Sequence, residues 1–211
     1  LPVFAQFVAF DLETTGLKPE SNQIIEVAGV RFTFELKNQK IVPKILKTFE
    51  SFVRPTMMIP AEATQVNHIT DSMVENAPSS KEVLNNFSRF IGLSTILVAH
   101  NADFDCRFLI RELRLNGLIL PQNPVLDSLK LSRKIIPESP SHRLGNLAKR
   151  LQQELGINLD SENLHRALYD CEILAEVFTA LIRKRFQPKD LEMSNFLTAV
   201  EKVHGPASFL H

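Results

Sequence analysis

FVAFDLETTGL, residues 7–17, sets two carboxylates one residue apart at the end of an apolar run. Phe7, Ala9, Asp11 and Glu13 alternate with Val8, Phe10 and Leu12. Residues i and i+2 of a strand share a face, so both acids point the same way. The rest of the run is apolar on both sides, the pattern of a central strand covered on both faces. Buried carboxylates are costly unless they are paired, neutralised or bound to a metal. The stretch therefore predicts a central strand and an acidic site at its far end.

The neighbouring segments predict the sheet around that strand. TTGLKPESN (14–22) is turn-rich, IIEVAGVRFTFEL (24–36) reads as a second strand and KTFESFVRP (47–55) as a third. Their short links predict an antiparallel meander. Residues 37–46 are ambiguous, and Pro43 speaks against a central strand there. After a loop with a short helix (59–78), SSKEVLNNFSRFIG (79–92) has helical spacing, with Ser79 or Ser80 as N-cap. STILVAH (94–100) is a fourth strand, and an amphipathic helix follows over 101–117, stopped by Gly117. PVLDSLKLSRKIIP (124–137) predicts a fifth short strand running into a helix that Asp127 caps. Helices over 141–156 and 165–186 complete one mixed sheet flanked by helices. Beyond 187 the periodicity fades into a tail or short extra helix, with His204 and His211 on it as solvated residues.

Composition narrows the function classes. The chain of 211 residues suits one domain with at most a tail, and 44% hydrophobic residues supply an ordinary core. Lys+Arg and Asp+Glu are both 24, so a nucleic-acid partner needs a local basic cleft rather than a basic protein. Two cysteines without CxxC spacing speak against a disulfide framework or a cysteine zinc site and fit a reducing, cytoplasmic compartment. No apolar run is long enough for a membrane span. LPVFAQFVAF lacks a basic leader and reads as strand, and the start at Leu1 fits a piece of a longer protein. With 15 Phe, one Tyr and no Trp, base stacking falls to Phe, His or aliphatic side chains.

Two further segments carry acids. In HNADFD (100–105), Asp105 lies on the apolar stripe of Phe108, Leu109 and Leu113, in the first helical turn, and so faces the sheet. In LHRALYDCEILAEVF (164–178), Asp170 borders the stripe of Cys171, Leu174, Ala175 and Phe178. His165 is roughly 140° from Asp170 on a helix, which places it on the loop leading in. Singly, each acid reads as a turn or helix-start residue favoured by the dipole. Together, four carboxylates and a histidine from three segments call for cations. Hard oxygens without cysteine select Mg²⁺ or Mn²⁺. Two such ions about 4 Å apart serve phosphoryl displacement, and a nearby histidine can take a proton from water. Metal-dependent phosphodiester hydrolysis is the chemistry expected.

DLETTG, HNADFD and HRALYD, in that order, resemble the three motifs of the DEDDh 3′→5′ exonucleases, the family of the epsilon proofreading subunit of bacterial replicative DNA polymerase. The resemblance covers roughly residues 7–183 and implies an RNase H-like α/β fold with a mixed five-stranded sheet, residues 1–186 forming the exonuclease domain. It implies two divalent cations, Mg²⁺ or Mn²⁺, with Asp11 bridging them, Glu13 and Asp170 on the first and Asp105 on the second through water. His165 would be the general base. Thr14, Thr15, Leu17, Glu62, Asn67, His68, His100, Asn101 and Phe104 would shape the pocket of the terminal nucleotide.

The expected substrate is single-stranded DNA, with RNA as the alternative, degraded to 5′-mononucleotides in proofreading or repair. A polymerase or repair partner would engage the C-terminal tail. A sister branch has Tyr where this chain has Arg166, so the chain resembles the histidine branch. VNHITD (66–71) departs from the family by putting His68 where a glycine often stands; a positive φ there would strain a histidine. A non-catalytic binding module is the reading from another class. Among basic clusters, KLSRK (130–134) and HRLGNLAKR (142–150) are expected to meet phosphates of the entering strand, whereas IRKR (182–185) is a solvated face.

Overall fold

Five strands, Gln6–Thr14 (β1), Ile24–Lys37 (β2), Lys40–Phe52 (β3), Ile96–Ala99 (β4) and Val125–Asp127 (β5), form one sheet in the order β3-β2-β1-β4-β5. The structure is a computed structural model and describes residues 4–155 and 166–207. β1 pairs antiparallel with β2 and parallel with β4, while β5 joins β4 in parallel. The helices are Ala61–Asn67 (α1), Asp71–Val74 (α2), Ser80–Ile91 (α3), Ala102–Leu115 (α4), Ser128–Ile135 (α5), Leu144–Leu155 (α6), Ala167–Arg185 (α7) and Phe196–His204 (α8). Among the described residues no helix is long and apolar enough to cross a membrane.

Alternation along β1 sorts its side chains into two cores. Phe7 and Ala9 join Ala28, Val30, Phe32 and Val98 beneath α7, with Leu131 of α5 and Leu147 of α6 in the same layer. Val8, Phe10 and Leu12 face the other way, toward Phe87 of α3 and Phe108 of α4. Both layers are buried, which is why the strand is apolar on each side until its acids. Asp11 and Glu13 continue the series of Phe7 and Ala9, so they emerge toward α7. The bulge between Glu13 and Thr14 then ends regular pairing just past the second acid.

Phenylalanine fills the α7 layer. The ring centroid of Phe7 lies 5.1 Å from Phe32, 4.8 Å from Phe34, 5.4 Å from Phe178 and 5.0 Å from Phe196. On the opposite face Gly29 is the concession to α3. A Cβ there would sit 2.8 Å from Phe90 Cε1 and 3.1 Å from Phe87 Cε2, so only a bare backbone lets both rings lie on the sheet.

Two expectations are corrected here. Within the ambiguous segment 37–46, Lys37 ends β2 and β3 begins at Lys40 rather than near 47. Asn38 and Gln39, with φ of 50° and 63°, form the two-residue turn that matches strand twist. Pro43 is tolerated because β3 is an edge, and exposed Lys40, Lys44 and Lys47 guard that edge against pairing with another chain.

His204 is not solvated. It is buried, and its Nε2 accepts the Asp127 N–H at 2.8 Å while Nδ1 lies 3.1 Å from the Gly205 carbonyl. An accepting Nε2 requires the Nδ1–H tautomer, and burial holds its pKa below the usual value, keeping the ring neutral. Residues 188–204 are therefore a 3₁₀ turn and a short helix docked on the core through Leu191, Phe196 and Val200. His211 lies outside the described residues.

Candidate active site

Asp11, Glu13 and Asp170 each offer one carboxylate oxygen within 4.8 Å of the others. The first two leave the sheet on the α7 side, and Asp170 comes from the first turn of α7. Asp105 arrives from the opposite layer, at the start of α4. Its Oδ1 accepts the N–H of Leu12, the residue between the two strand acids, at 3.2 Å. The central strand thus holds two acids by alternation and a third by its backbone.

Burial and repulsion from neighbouring acids raise the pKa of Asp11 and Glu13, and burial raises that of Asp105. Burial is the largest cause at Asp11, followed by repulsion from Asp105, Glu13 and Asp170, and its carboxyl stands well above the usual range. Glu13 is pushed up to about 8 by burial and then by Asp170 and Glu26, against a lowering hydrogen bond from Asn67. Asp105 is also pushed to about 8, mainly by burial, with the Leu12 N–H opposing. Oxygen donors this close and this reluctant to ionise fit hard divalent cations, whose charge removes the repulsion. Three described carboxylates suit one such ion, and Asp105 extends the set.

Unfolded carboxyls ionise near pH 4, whereas Glu13 and Asp105 stay protonated in the fold to about 8. The folded state therefore holds more protons in between, and stability declines as pH rises from about 4 to about 8 without metal. Asp105→Asn keeps the acceptor for Leu12 and removes the charge. Its melting temperature in EDTA at pH 8 should exceed that of the parent by at least about 2–4 °C, the shift that ~1 kcal/mol gives a domain of this size. The gain should vanish at pH 4.

Glu26 belongs to the site and was missed in the sequence. It is fully buried opposite Glu13 and accepts from Arg166 Nη2 at 3.4 Å and from the Ala167 N–H at 3.3 Å. Arg166 also lies 3.8 Å from Glu50 and 5.8 Å from the Phe52 ring centroid. This anchor pins the start of α7 to β2 and so sets where Asp170 sits. The signal was available: an acid inside IIEVAGV needs a partner, and the arginine lies in HRALYD. His165 itself lies outside the described residues.

The residues expected around a terminal nucleotide divide into two groups. Leu17 projects with 82% exposure, Glu62, His68 and Asn101 are exposed, and His100 and Phe104 are half-buried. His100 Nδ1 lies 2.8 Å from Ser128 Oγ. The hydroxyls of Thr14 and Thr15, by contrast, are used internally. Thr14 Oγ1 donates to the Gly16 carbonyl at 2.7 Å, and Thr15 Oγ1 accepts the Gln23 N–H at 3.0 Å.

Asn67, expected as a substrate contact, has its side chain engaged within the protein. It is buried, and its amide donates to the Thr14 carbonyl at 3.3 Å and accepts from the Ile69 N–H at 3.1 Å. His68 adopts φ 61°, the conformation that favours glycine, and its N–H closes α1 on the Thr64 carbonyl. Asp127 caps α5 as expected, accepting from Leu129 at 2.9 Å, and also holds the Asn101 N–H at 3.1 Å.

A family model described as an exonuclease, RNase_T, matches residues 8–178. The epsilon subunit of DNA polymerase III from Treponema pallidum is 39% identical over 178 residues, which cover 83% of this chain and 76% of that protein. The PolC-type DNA polymerase III of Halalkalibacterium halodurans is 37% identical over 179 residues, 85% of this chain; the match spans 11% of that polymerase. Among solved structures, Exonuclease X in complex with 5′ overhanging duplex DNA superposes with a TM-score of 0.65 at 26% identity, over 88% of this chain and 97% of that one. The Exonuclease I of Methylocaldum szegediense gives 0.68 at 25% identity over 92% of this chain and 43% of that one. The sheet is the RNase H-like arrangement of these neighbours. Both β1 acids, Asp105 and Asp170 fall inside the matched span, and the chain belongs to the RNase_T exonuclease family.

Proposed function

We propose that this chain is a metal-dependent 3′→5′ exonuclease that hydrolyses single-stranded DNA ends and releases 5′-mononucleotides. The observation that carries the reading is the convergence of Asp11, Glu13 and Asp170 within 4.8 Å at the end of the central strand, in a chain of an exonuclease family. Asp11, Glu13 and Asp170 would hold a divalent cation, Mg²⁺ or Mn²⁺, and Asp105 would serve a second. Bound there, the ions supply charge that stabilises the attacking and leaving oxygens of a phosphodiester. His165 takes the proton of the attacking water. Leu17 offers exposed apolar surface to the terminal base, with Glu62 and His68 beside α1 and His100, Asn101 and Phe104 on the β4 side. Thr14 and Thr15 present the turn's backbone.

DNA is favoured because the relatives include subunits and domains of DNA polymerases. The protein works in the cytoplasm in proofreading or repair. A polymerase or repair partner engaging residues 187–211 meets the outer side of α8, whose inner side is already packed.

Matched DNA and RNA oligonucleotides labelled at the 5′ end, incubated with Mg²⁺, Mn²⁺ or EDTA, test this. A ladder shortening from the 3′ end, abolished by EDTA and faster on DNA, is the expected result. Internal cuts, or no shortening in either metal, would sink the reading.

A further inference from the structure

Two cavities with different charge lie near the site. One, about 680 Å³, runs along the outer side of α4. There Arg107 lies 3.6 Å from Glu20 and 3.9 Å from Asp103, and Arg111 lies 3.5 Å from Glu112. Arg107 and Arg111 are thus paired, and Arg114 is the one cation of this lining without an ion pair among the described residues. The other, about 1040 Å³, starts at Asp170 and passes His100 and Asn101 to Arg133, Arg143 and Lys149. All three cations are exposed, and none has an ion pair among the described residues. Among the described residues Asp170 is the one acid lining the cavity. Arg150, which belongs to the same basic run, is paired with Glu138 at 2.7 Å and does not line it.

The walls are fixed in advance. Asp127 caps α5, and Ser132 Oγ lies 2.9 Å from His142 Nδ1, tying α5 to the entrance of α6. Asn146 Nδ2 donates to Ser141 Oγ at 2.8 Å across that entrance. The two basic clusters singled out in the sequence are thereby brought to one groove. The groove lies on the β4–β5 side of β1, whereas the 14–17 turn and Asn67 lie on its β2 side. A strand whose 3′ end rests against the turn and whose last phosphodiester meets the acids continues in its 5′ direction across β4 and β5.

We infer that this groove binds the phosphodiester backbone on the 5′ side of the scissile bond, with Arg133, Arg143 and Lys149 as its counter-charge. The inference rests on the exonuclease reading. In a protein of zero formal net charge, attraction for a polyanion has to be local. A cationic groove leading to the reacting centre supplies it, tracking phosphates without reading bases.

The test separates strand binding from chemistry. In an Asp11→Ala background with EDTA, anisotropy of fluorescein-labelled dodecathymidylate is followed from about 50 to about 200 mM salt. Arg143→Gln and Lys149→Gln should each lower the slope of log affinity against log salt by about 0.7, and the double variant by about 1.4. Affinity should fall about tenfold in the double variant. With Asp11 restored, KM for the same strand should rise to match while kcat changes less than about twofold. Arg107→Gln, in the α4 cavity, should leave the slope where it was. An unchanged slope in the groove variants, or an equal loss with Arg107→Gln, overturns the assignment. Wild-type protein that cleaves no oligonucleotide, with the slope change still present, defeats the exonuclease reading and leaves the groove standing.

Discussion

Replacing Asp11 by alanine lowers phosphodiester hydrolysis by about 10³-fold or more while the protein stays folded. Removing one preorganised electrostatic group from an active site costs about 10²–10³ in turnover, and Asp11 lies nearest the other three acids in its effects. Its carboxyl is raised by burial and then by Asp105, Glu13 and Asp170, so all three other acids act on it. Without it the remaining oxygens cannot share a cation. The same repulsion makes the variant stabler in EDTA near pH 8, by a few °C on the scale of about 2–4 °C per kcal/mol. Single-turnover rates on a labelled strand and paired melting curves measure both effects. A variant that turns over normally, or that unfolds, would count against a metal site at the end of β1.

Phe7→Ala is the second large effect, and it acts on stability. Phe7 is fully buried and sits among four rings, those of Phe32, Phe34, Phe178 and Phe196, with centroids 4.8–5.4 Å away. Truncating a buried Phe costs about 3–5 kcal/mol through lost transfer energy and the cavity left behind. At about 2–4 °C per kcal/mol, the melting temperature should fall by roughly 10 °C. The loss also loosens α8, because Phe196 loses one of its partners in the layer. Calorimetry against Leu17→Ala gives the contrast. Leu17 is 82% exposed, and its truncation should shift stability by no more than about 0.5 kcal/mol.

The sheet and the acids were legible in the sequence for one reason. Period-2 alternation in FVAFDLE assigns Phe7 and Ala9 to one core, Val8 and Phe10 to the other, and both acids to the face of α7. The start of β3 was not legible, because Pro43 weighs against a strand until its edge position is known, and the Asn38–Gln39 turn lacks glycine. Long-range partners were hidden too. An acid inside IIEVAGV announces that Glu26 needs a partner but not that Arg166 is the one, and nothing near His204 announces the Asp127 N–H. Asn67 and the two threonine hydroxyls looked outward by motif, yet their hydrogen bonds close the turn from within. Residue type signalled a polar role at each position, but only packing decides whether such a role faces solvent.

The anchor between β2 and α7 joins residues 141 positions apart, Glu26 to Ala167. Three of the four acids precede α7 in the chain, whereas Asp170 comes from the last long helix. Contacts of such separation form late and slowly, since the intervening loop must close first. During synthesis the first strand thus emerges with an incomplete donor set, and a chain stopped before α7 carries no cutting centre. Assembly of the acidic cluster thus requires the chain through α7, and a shorter copy would hold an incomplete site.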